Sequence, residues 1–383
     1  MKRTCGFLFL SVLLNTTHAV QPDEAFETWL KQGMKEHHFP GISIAVISNY
    51  EITWAKGFGM ADVDKQIPVT TKTLFQAASI SKPVTAMAAL KSVEAGKLTL
   101  DGNINDKLTS WKIPDNDYTK NHNITLKELL SHSAGTNVPG FLGYAKGEKP
   151  PNLVEVLNGL PPANSEAIRV TSQPGKEFNY SGGGYTIVEQ TLIDTWHQPF
   201  PELMNQLVLS PLAMSASTFQ QPLPASVKDF SLAYRPGGKS VEGGPHVYIT
   251  EAAAGLWTNP TDLAKFAISI QKSLRGDSDQ ILSKHYATLM AVTPASEAEK
   301  IRMGLGTLVS IDIDGKVTPN GSWFGHAGQN EGYRNMLLAH TKNGNGIVIM
   351  TNMSPKPEEV EEDNGWLFMF EIINRFADIY HWK

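Results

Sequence analysis

The sequence predicts an α+β fold: one antiparallel sheet formed by N- and C-terminal segments with flanking helices, beside an inserted, mainly helical subdomain. Two observations predict it. Strand-like apolar runs lie at both ends of the 383-residue chain, whereas the middle, about residues 82–302, alternates helix-forming stretches with Pro- and Gly-rich connections. The closing segment sets Trp366, Phe370, Ile373, Ala377 and Tyr380 on one helical stripe, suited to covering a sheet face. Residues 20–81 and 303–383 are therefore expected to make the α/β part of one domain and residues 82–302 its helical part.

Taken in chain order, residues 1–19 read as a signal peptide. Lys2 and Arg3 give a charged start, residues 6–14 an apolar stretch, and Thr17-His18-Ala19 a small-residue cleavage site. Export, to the periplasm or out of the cell, is the expectation; the competing reading is a buried N-terminal helix or strand. A helix follows over residues 23–34, with Phe26, Trp29, Leu30 and Met34 at helical spacing and Asp23 as its N-cap. Residues 42–47 and 52–58 read as two strands joined around Asn49-Tyr50, and a third apolar run, 74–78, leads into Ser79. Within the middle region, residues 84–95 are alanine-rich, Thr125 and Glu128 form a capping-box pattern, and Thr261 opens a further helix. Strands return at 306–311, 335–340 and 346–352, with residues 342–345 as the turn between the last two.

Composition is that of an ordinary globular enzyme, 41% hydrophobic and 19% charged. The formal net charge of −5 argues against a broad nucleic-acid surface, and removal of residues 1–19 would make it more negative by two. No run reaches the roughly 18 apolar residues of a membrane span. The single cysteine, Cys5, lies in the leader, so the remainder holds no thiol, disulfide or cysteine metal ligand.

Chemistry concentrates at Ser79-Ile80-Ser81-Lys82. A serine hydroxyl is a weak nucleophile until a base takes its proton, and a residue one helical turn away lies on the same face, about 5–6 Å between Cβ atoms. Lysine can be that base where burial keeps it neutral. Pro83 is tolerated only in a first helical turn, which points to a helix starting at Ser79 with the serine N–H free for an oxyanion. The same spacing recurs at Ser269 and Lys272, but inside a helix with no preceding strand, and reads there as a solvated face. Tyr180-Ser181-Gly182, running into Gly183-Gly184-Tyr185, offers a phenol that could relay protons if positive neighbours depressed its pKa; the plainer reading is a glycine-rich turn beside a packed aromatic. His326-Ala327-Gly328-Gln329 reads as an edge strand whose small residues let substrate approach, with Gln329 donating a second oxyanion N–H; a lone histidine is otherwise more often a structural residue.

Ser79-x-x-Lys82, a Tyr motif about 100 residues on and a His-x-Gly motif near the C-terminus together resemble the class C β-lactamase branch of the penicillin-recognising serine enzymes. That branch includes D-alanyl-D-alanine carboxypeptidases, D-aminopeptidases and lactamase-like esterases. Residues 129–135, containing His132, and residues 254–264 are similar to further family stretches. The resemblance implies the sheet-plus-helical-domain fold, Ser79 as acylated nucleophile, Lys82 and Tyr180 in acid–base roles, Ser79 and Gln329 N–H groups as the oxyanion hole, Gly182 and Gly328 beside the substrate, and His132 as structural.

Two departures matter. The branch shows Tyr-x-Asn where this chain has Gly182, and Lys-Thr-Gly where it has His326-Ala327-Gly328. A permanent cation suited to a substrate carboxylate is thereby replaced by an imidazole that is mostly neutral near pH 7. The substitutions weaken the case for an efficient β-lactamase and favour an esterase, amidase or peptidase. No Gly-x-Ser-x-Gly elbow, zinc helix or phosphate-binding loop is present, and Asp312-Ile313-Asp314-Gly315 reads as a hairpin turn rather than a calcium loop, so no cofactor or metal is expected. The expected function is an exported hydrolase acting through an acyl-enzyme on Ser79, with Ser79, Lys82, Tyr180 and His326 as its catalytic residues, on a small-molecule or peptide substrate that includes β-lactam and peptidoglycan-derived candidates. The alternative is a penicillin- or peptidoglycan-binding sensor on the same scaffold with little turnover.

Overall fold

The computed structural model describes residues 21–277, 281–295, 302–356 and 364–382. The leader read in residues 1–19 lies outside them. Helix α1, Glu24–Glu36, starts where expected, with the Asp23 carboxylate accepting the Phe26 N–H at 2.8 Å. Strands β1 (Gly41–Ser48) and β2 (Glu51–Asp62) form a hairpin whose two turn residues, Asn49 and Tyr50, both take positive φ, the twist a tight two-residue turn demands. A short β3, Ile67–Pro68, extends the sheet at that edge.

The chain then leaves the sheet. β4 (Phe75–Gln76), the third apolar run, pairs not with the large sheet but with β5 (Trp257–Thr258) in a separate two-stranded ribbon. The intervening helices are α2 (Ser81–Glu94), α3 (Leu126–Leu130), α4 (Leu153–Asn158), α5 (Gly182–Trp196), α6 (Phe200–Met204) and α7 (Glu251–Ala254); α8 (Pro260–Arg275) and α9 (Lys284–Ala291) follow β5. Thr125 and Glu128 do form a reciprocal cap on α3. Strands β6 (Leu308–Ile311), β7 (Trp323–Asn330), β8 (Tyr333–His340) and β9 (Gly346–Thr351) complete the sheet, and α10 (Gly365–Ile379) closes the chain. Asp312 and Gly315 make the turn expected of them, the Asp312 side chain accepting the Asp314 and Lys316 N–H groups.

The sheet has seven strands in the order β3-β2-β1-β9-β8-β7-β6, every pair antiparallel. Its first and last pieces meet where β1 pairs with β9, Ala45 opposite Val348. Alternation sorts the side chains between two cores. Ile44, Val46, Ile347, Ile349, Met336 and Leu338 face α1 and α10, while Ala45, Ile47, Val348, Met350 and Leu337 face the helical region. On α10 the buried face is Phe368, Met369, Ile372, Ile373, Phe376 and Ala377; of the expected stripe Ile373 and Ala377 lie in the core, while Trp366, Phe370 and Tyr380 lie at its margin. Ser269, expected on a solvated face, is only 4% exposed, because α8 packs across the inner face of β1 and β9. Among the described residues no helix is long and apolar enough to cross a membrane.

Candidate active site

Three backbone segments converge on Ser79. The first is its own. Ala77 N–H bonds to Leu256 O, and Ala78 is turned to φ 53°, a conformation that costs a non-glycine residue roughly 1–2 kcal/mol. A single 3-10 turn, Ala78–Ile80, carries the serine, so the α-helix proper begins at Ser81, two residues later than expected. Ser79 keeps partial exposure while residues on both sides are buried. Helix α2 is buried on nearly every side, which its alanines permit, and Lys82 is 1% exposed. The Lys82 Nζ donates to Ser79 Oγ at 3.0 Å and to the carbonyl of Ala253 on α7 at 2.9 Å. Burial lowers the Lys82 pKa from 10.5 to about 7, so a large share of molecules hold a neutral amine at physiological pH.

The second segment brings Tyr180. Its phenol hydrogen-bonds Ser79, and its ring lies 5.0 Å from Lys82 Nζ. Burial pushes its pKa up, the reverse of the depression expected from positive neighbours, so Tyr180 remains a protonated phenol at neutral pH. Gly182, Gly183 and Gly184 are not a free turn but the first turn of α5, capped by Ser181 Oγ, which accepts the Gly184 N–H at 2.9 Å. Gly182 donates its N–H to Pro139 O, and a Cβ placed there would sit 3.1 Å from the Phe141 ring. An aromatic ring thus crowds the place from which the family's amide would project, and Gly182 is buried behind the cavity rather than on its wall. His132 accepts the Ser181 N–H through Nδ1 at 3.0 Å and packs on Tyr180 at 4.3 Å between ring centroids, which holds the phenol in place.

The third segment is β7. It is second from the sheet edge, yet β6 pairs only with Trp323 and Gly325, so the stretch from His326 onward has an uncovered flank facing Ser79. Gly328 is required there, since an added Cβ would lie 2.2 Å from Ala77 O and 3.2 Å from the Ser79 nitrogen. His326 is buried, held at a pKa of about 4 by that burial and by Lys82, and its Nδ1–H donates to Ala327 O at 2.5 Å, leaving Nε2 as an acceptor.

A cavity of about 390 Å³ joins these groups, lined by Ser79, Tyr180, His326, Gly328 and Gln329 together with Phe178, Met303, Leu308, Ala327 and Trp366. The structure therefore brings together Ser79, Lys82, Tyr180, His326, Gly328 and Gln329. Phe141, Phe178 and Ala253 were not singled out from the sequence, and Trp366 was read there only as part of the closing helical stripe; Ala253 borders a stretch with a recognisable pattern. Among the described residues, no group of three or more His, Cys, Asp or Glu side chains is placed to hold a metal ion.

The beta-lactamase family model matches residues 26–368. The chain belongs to the beta-lactamase family. This family member is 24% identical over 376 residues to Protein flp of Staphylococcus aureus strain MW2, a match covering 94% of this chain and 70% of the relative. It is 30% identical over 153 residues to the mitochondrial serine beta-lactamase-like protein LACTB of Mus musculus, covering 39% of this chain and 27% of that one. Among solved structures it resembles the octameric penicillin-binding protein homologue of Pyrococcus abyssi, at a TM-score of 0.69 and 25% identity, covering 90% of this chain and 76% of the other. A penicillin-binding protein from Bacillus halodurans shares the fold at a TM-score of 0.65 and 19% identity, covering 87% and 97% of the two chains. The α+β fold expected from the sequence is thus the family's, and the chain is a beta-lactamase-like member of a superfamily of serine hydrolases.

Proposed function

We propose that this protein hydrolyses esters or amides of apolar, uncharged acyl groups through an acyl-enzyme on Ser79. The observation that carries the reading is the buried Lys82 amine, with a pKa of about 7, at 3.0 Å from Ser79 Oγ. In the proposed reaction Lys82 takes the serine proton as Oγ attacks the carbonyl carbon. The Ser79 and Gln329 N–H groups stabilise the oxyanion, and the proton passes by way of Tyr180 to the leaving oxygen or nitrogen. Water then attacks the ester formed on Ser79, and the same groups return the proton to Oγ. Substrate class follows from the cavity. Phe178, Met303, Leu308 and Trp366 favour an apolar chain, and a neutral His326 stands where a carboxylate-binding cation would be. The charged start and apolar run of residues 1–14 support export.

Intact mass spectrometry after brief exposure to aryl esters, D-amino-acid amides and penicillins is the test. An acyl adduct from the esters, lost in Ser79→Ala, supports the reading; no adduct and no turnover with any class overturns it. The Phe141 ring beside Gly182 motivates one second reading, a penicillin- or peptidoglycan-binding module. A persistent penicillin adduct without turnover would favour that module.

A further inference from the structure

We infer that Glu189 is a positioning residue for Lys82, acting through helix α7; the inference rests on the hydrolase reading above. A carboxylic acid buried on α5, 2% exposed, is costly unless its oxygens are used. Glu189 uses them on the N-terminus of α7, where one carboxylate oxygen accepts the Ala252 N–H at 2.8 Å and the Glu251 N–H is also bound. Thr250 occupies the N-cap position of that helix, but its hydroxyl makes no capping bond and is buried without a partner. The cap is supplied from another helix instead.

What α7 holds explains the arrangement. Its four residues and exit present the Ala253 carbonyl to Lys82 Nζ and the Ala252 carbonyl to Thr85 Oγ1, and the Leu256 N–H reaches Ser81 Oγ. Helix α7 therefore meets α2 at three points around the lysine. Glu189 stands two turns along α5 from Ser181, the residue that follows Tyr180. One side chain thus ties the segment carrying the phenol to the element that orients the amine. Glu251 faces Glu189, and Glu202 lies near; burial raises Glu189, and burial with repulsion from Glu189 and Glu202 raises Glu251, so the pair retains a proton at neutral pH. Lys82 itself is faced by His132, His326, Tyr180 and Tyr185, and its lowered pKa comes from burial, not from either glutamate. The contribution of Glu189 is therefore reach, not charge.

Two conservative variants separate these. Glu189→Gln keeps the length and an acceptor oxygen while removing the carboxylate; Glu189→Asp keeps the carboxylate and withdraws it by one methylene. Acylation by a p-nitrophenyl ester, followed by stopped flow across the pH range, is compared with thermal melting. Misplacement of a catalytic group by about 1 Å can cost up to about 100-fold. Glu189→Asp is accordingly expected to acylate at least roughly tenfold more slowly, with KM within about twofold and the midpoint of the rising pH limb displaced from wild type. Glu189→Gln should stay within about threefold of wild type with the same midpoint. A Glu189→Asp enzyme with wild-type rate and midpoint overturns the inference, as does a Glu189→Gln enzyme slowed as much as Glu189→Asp. A lower melting temperature in both variants with unmoved rates and midpoints assigns Glu189 to stability alone. A wild-type protein that is never acylated instead overturns the hydrolase reading, before any variant is made.

Discussion

Replacing Lys82 by methionine should stabilise the protein near neutral pH while abolishing its chemistry. Each pKa unit of difference between folded and unfolded states is worth about 1.4 kcal/mol. Moving Lys82 from 10.5 to about 7 therefore corresponds to a full penalty of about 5 kcal/mol. The sign follows from proton counts. Between about pH 7 and 10.5 the unfolded chain binds a proton at this lysine that the folded one does not, so stability rises with pH through that window; below it the penalty is present in full, and above it absent. At pH 7, where the folded lysine is half protonated, about 4 kcal/mol of the penalty applies. Methionine is similarly long and uncharged but gives up the bonds to Ser79 and Ala253, at about 1 kcal/mol each. Lys82→Met should thus be about 2 kcal/mol more stable than wild type at pH 7, with the advantage gone by about pH 9.5. Urea unfolding of both proteins at the two pH values measures this, and acylation of the variant should fall by roughly 100-fold or more. A variant that is less stable at pH 7, or whose stability difference does not change with pH, would refute the assignment of Lys82 as a buried amine poised near neutrality.

Other outcomes are expected from the same geometry. The acylation rate of the wild type should rise with pH around a midpoint near 7 and show no separate step near 4, because His326 titrates there without being the base; a pH–rate profile checks both. Gly328→Ala should cut acylation by roughly 100-fold with little change in far-UV circular dichroism, since the added methyl would drive Ala77 and Ser79 away from β7. Gly182→Asn should lose about 1–3 kcal/mol by overpacking against Phe141, measured by denaturation, and should regain most of it when combined with Phe141→Ala. Trp366→Ala should raise KM for long-chain aryl esters more than for acetate esters, as the indole is the largest apolar group lining the cavity.

The large features of the fold are legible because they rest on local signals. The α1 cap, the Asn49-Tyr50 turn, the alternation that sorts the sheet faces and the α3 capping box each depend on a few neighbouring side chains. The nucleophile and its amine are legible for the same reason, being one turn apart. Other features depend on long-range packing that periodicity does not encode. The run before Ser79 pairs with a strand about 180 residues away, and Ser269 is buried only because β1 and β9 lie beneath α8. Tyr180 keeps its proton because its phenol is buried, an outcome set by depth in the fold and not by spacing along the chain. The apolar lining came from residues with no motif, brought together by an uncovered stretch of β7.

The larger apolar cluster runs without a break from Ala45 and Val348 in the sheet through Val84 and Met87 on α2 to Ile187 on α5 and Phe266 on α8. Sheet and helices are therefore mutually dependent for their solvent exclusion, and the serine stands on the turn that leads into α2. Amide protons in the middle of α2, a helix buried on nearly every side, are expected to be among the slowest of the molecule to exchange. A heated sample is accordingly expected to lose acylating capacity and tertiary structure along one curve, which parallel activity and near-UV circular dichroism melts would show.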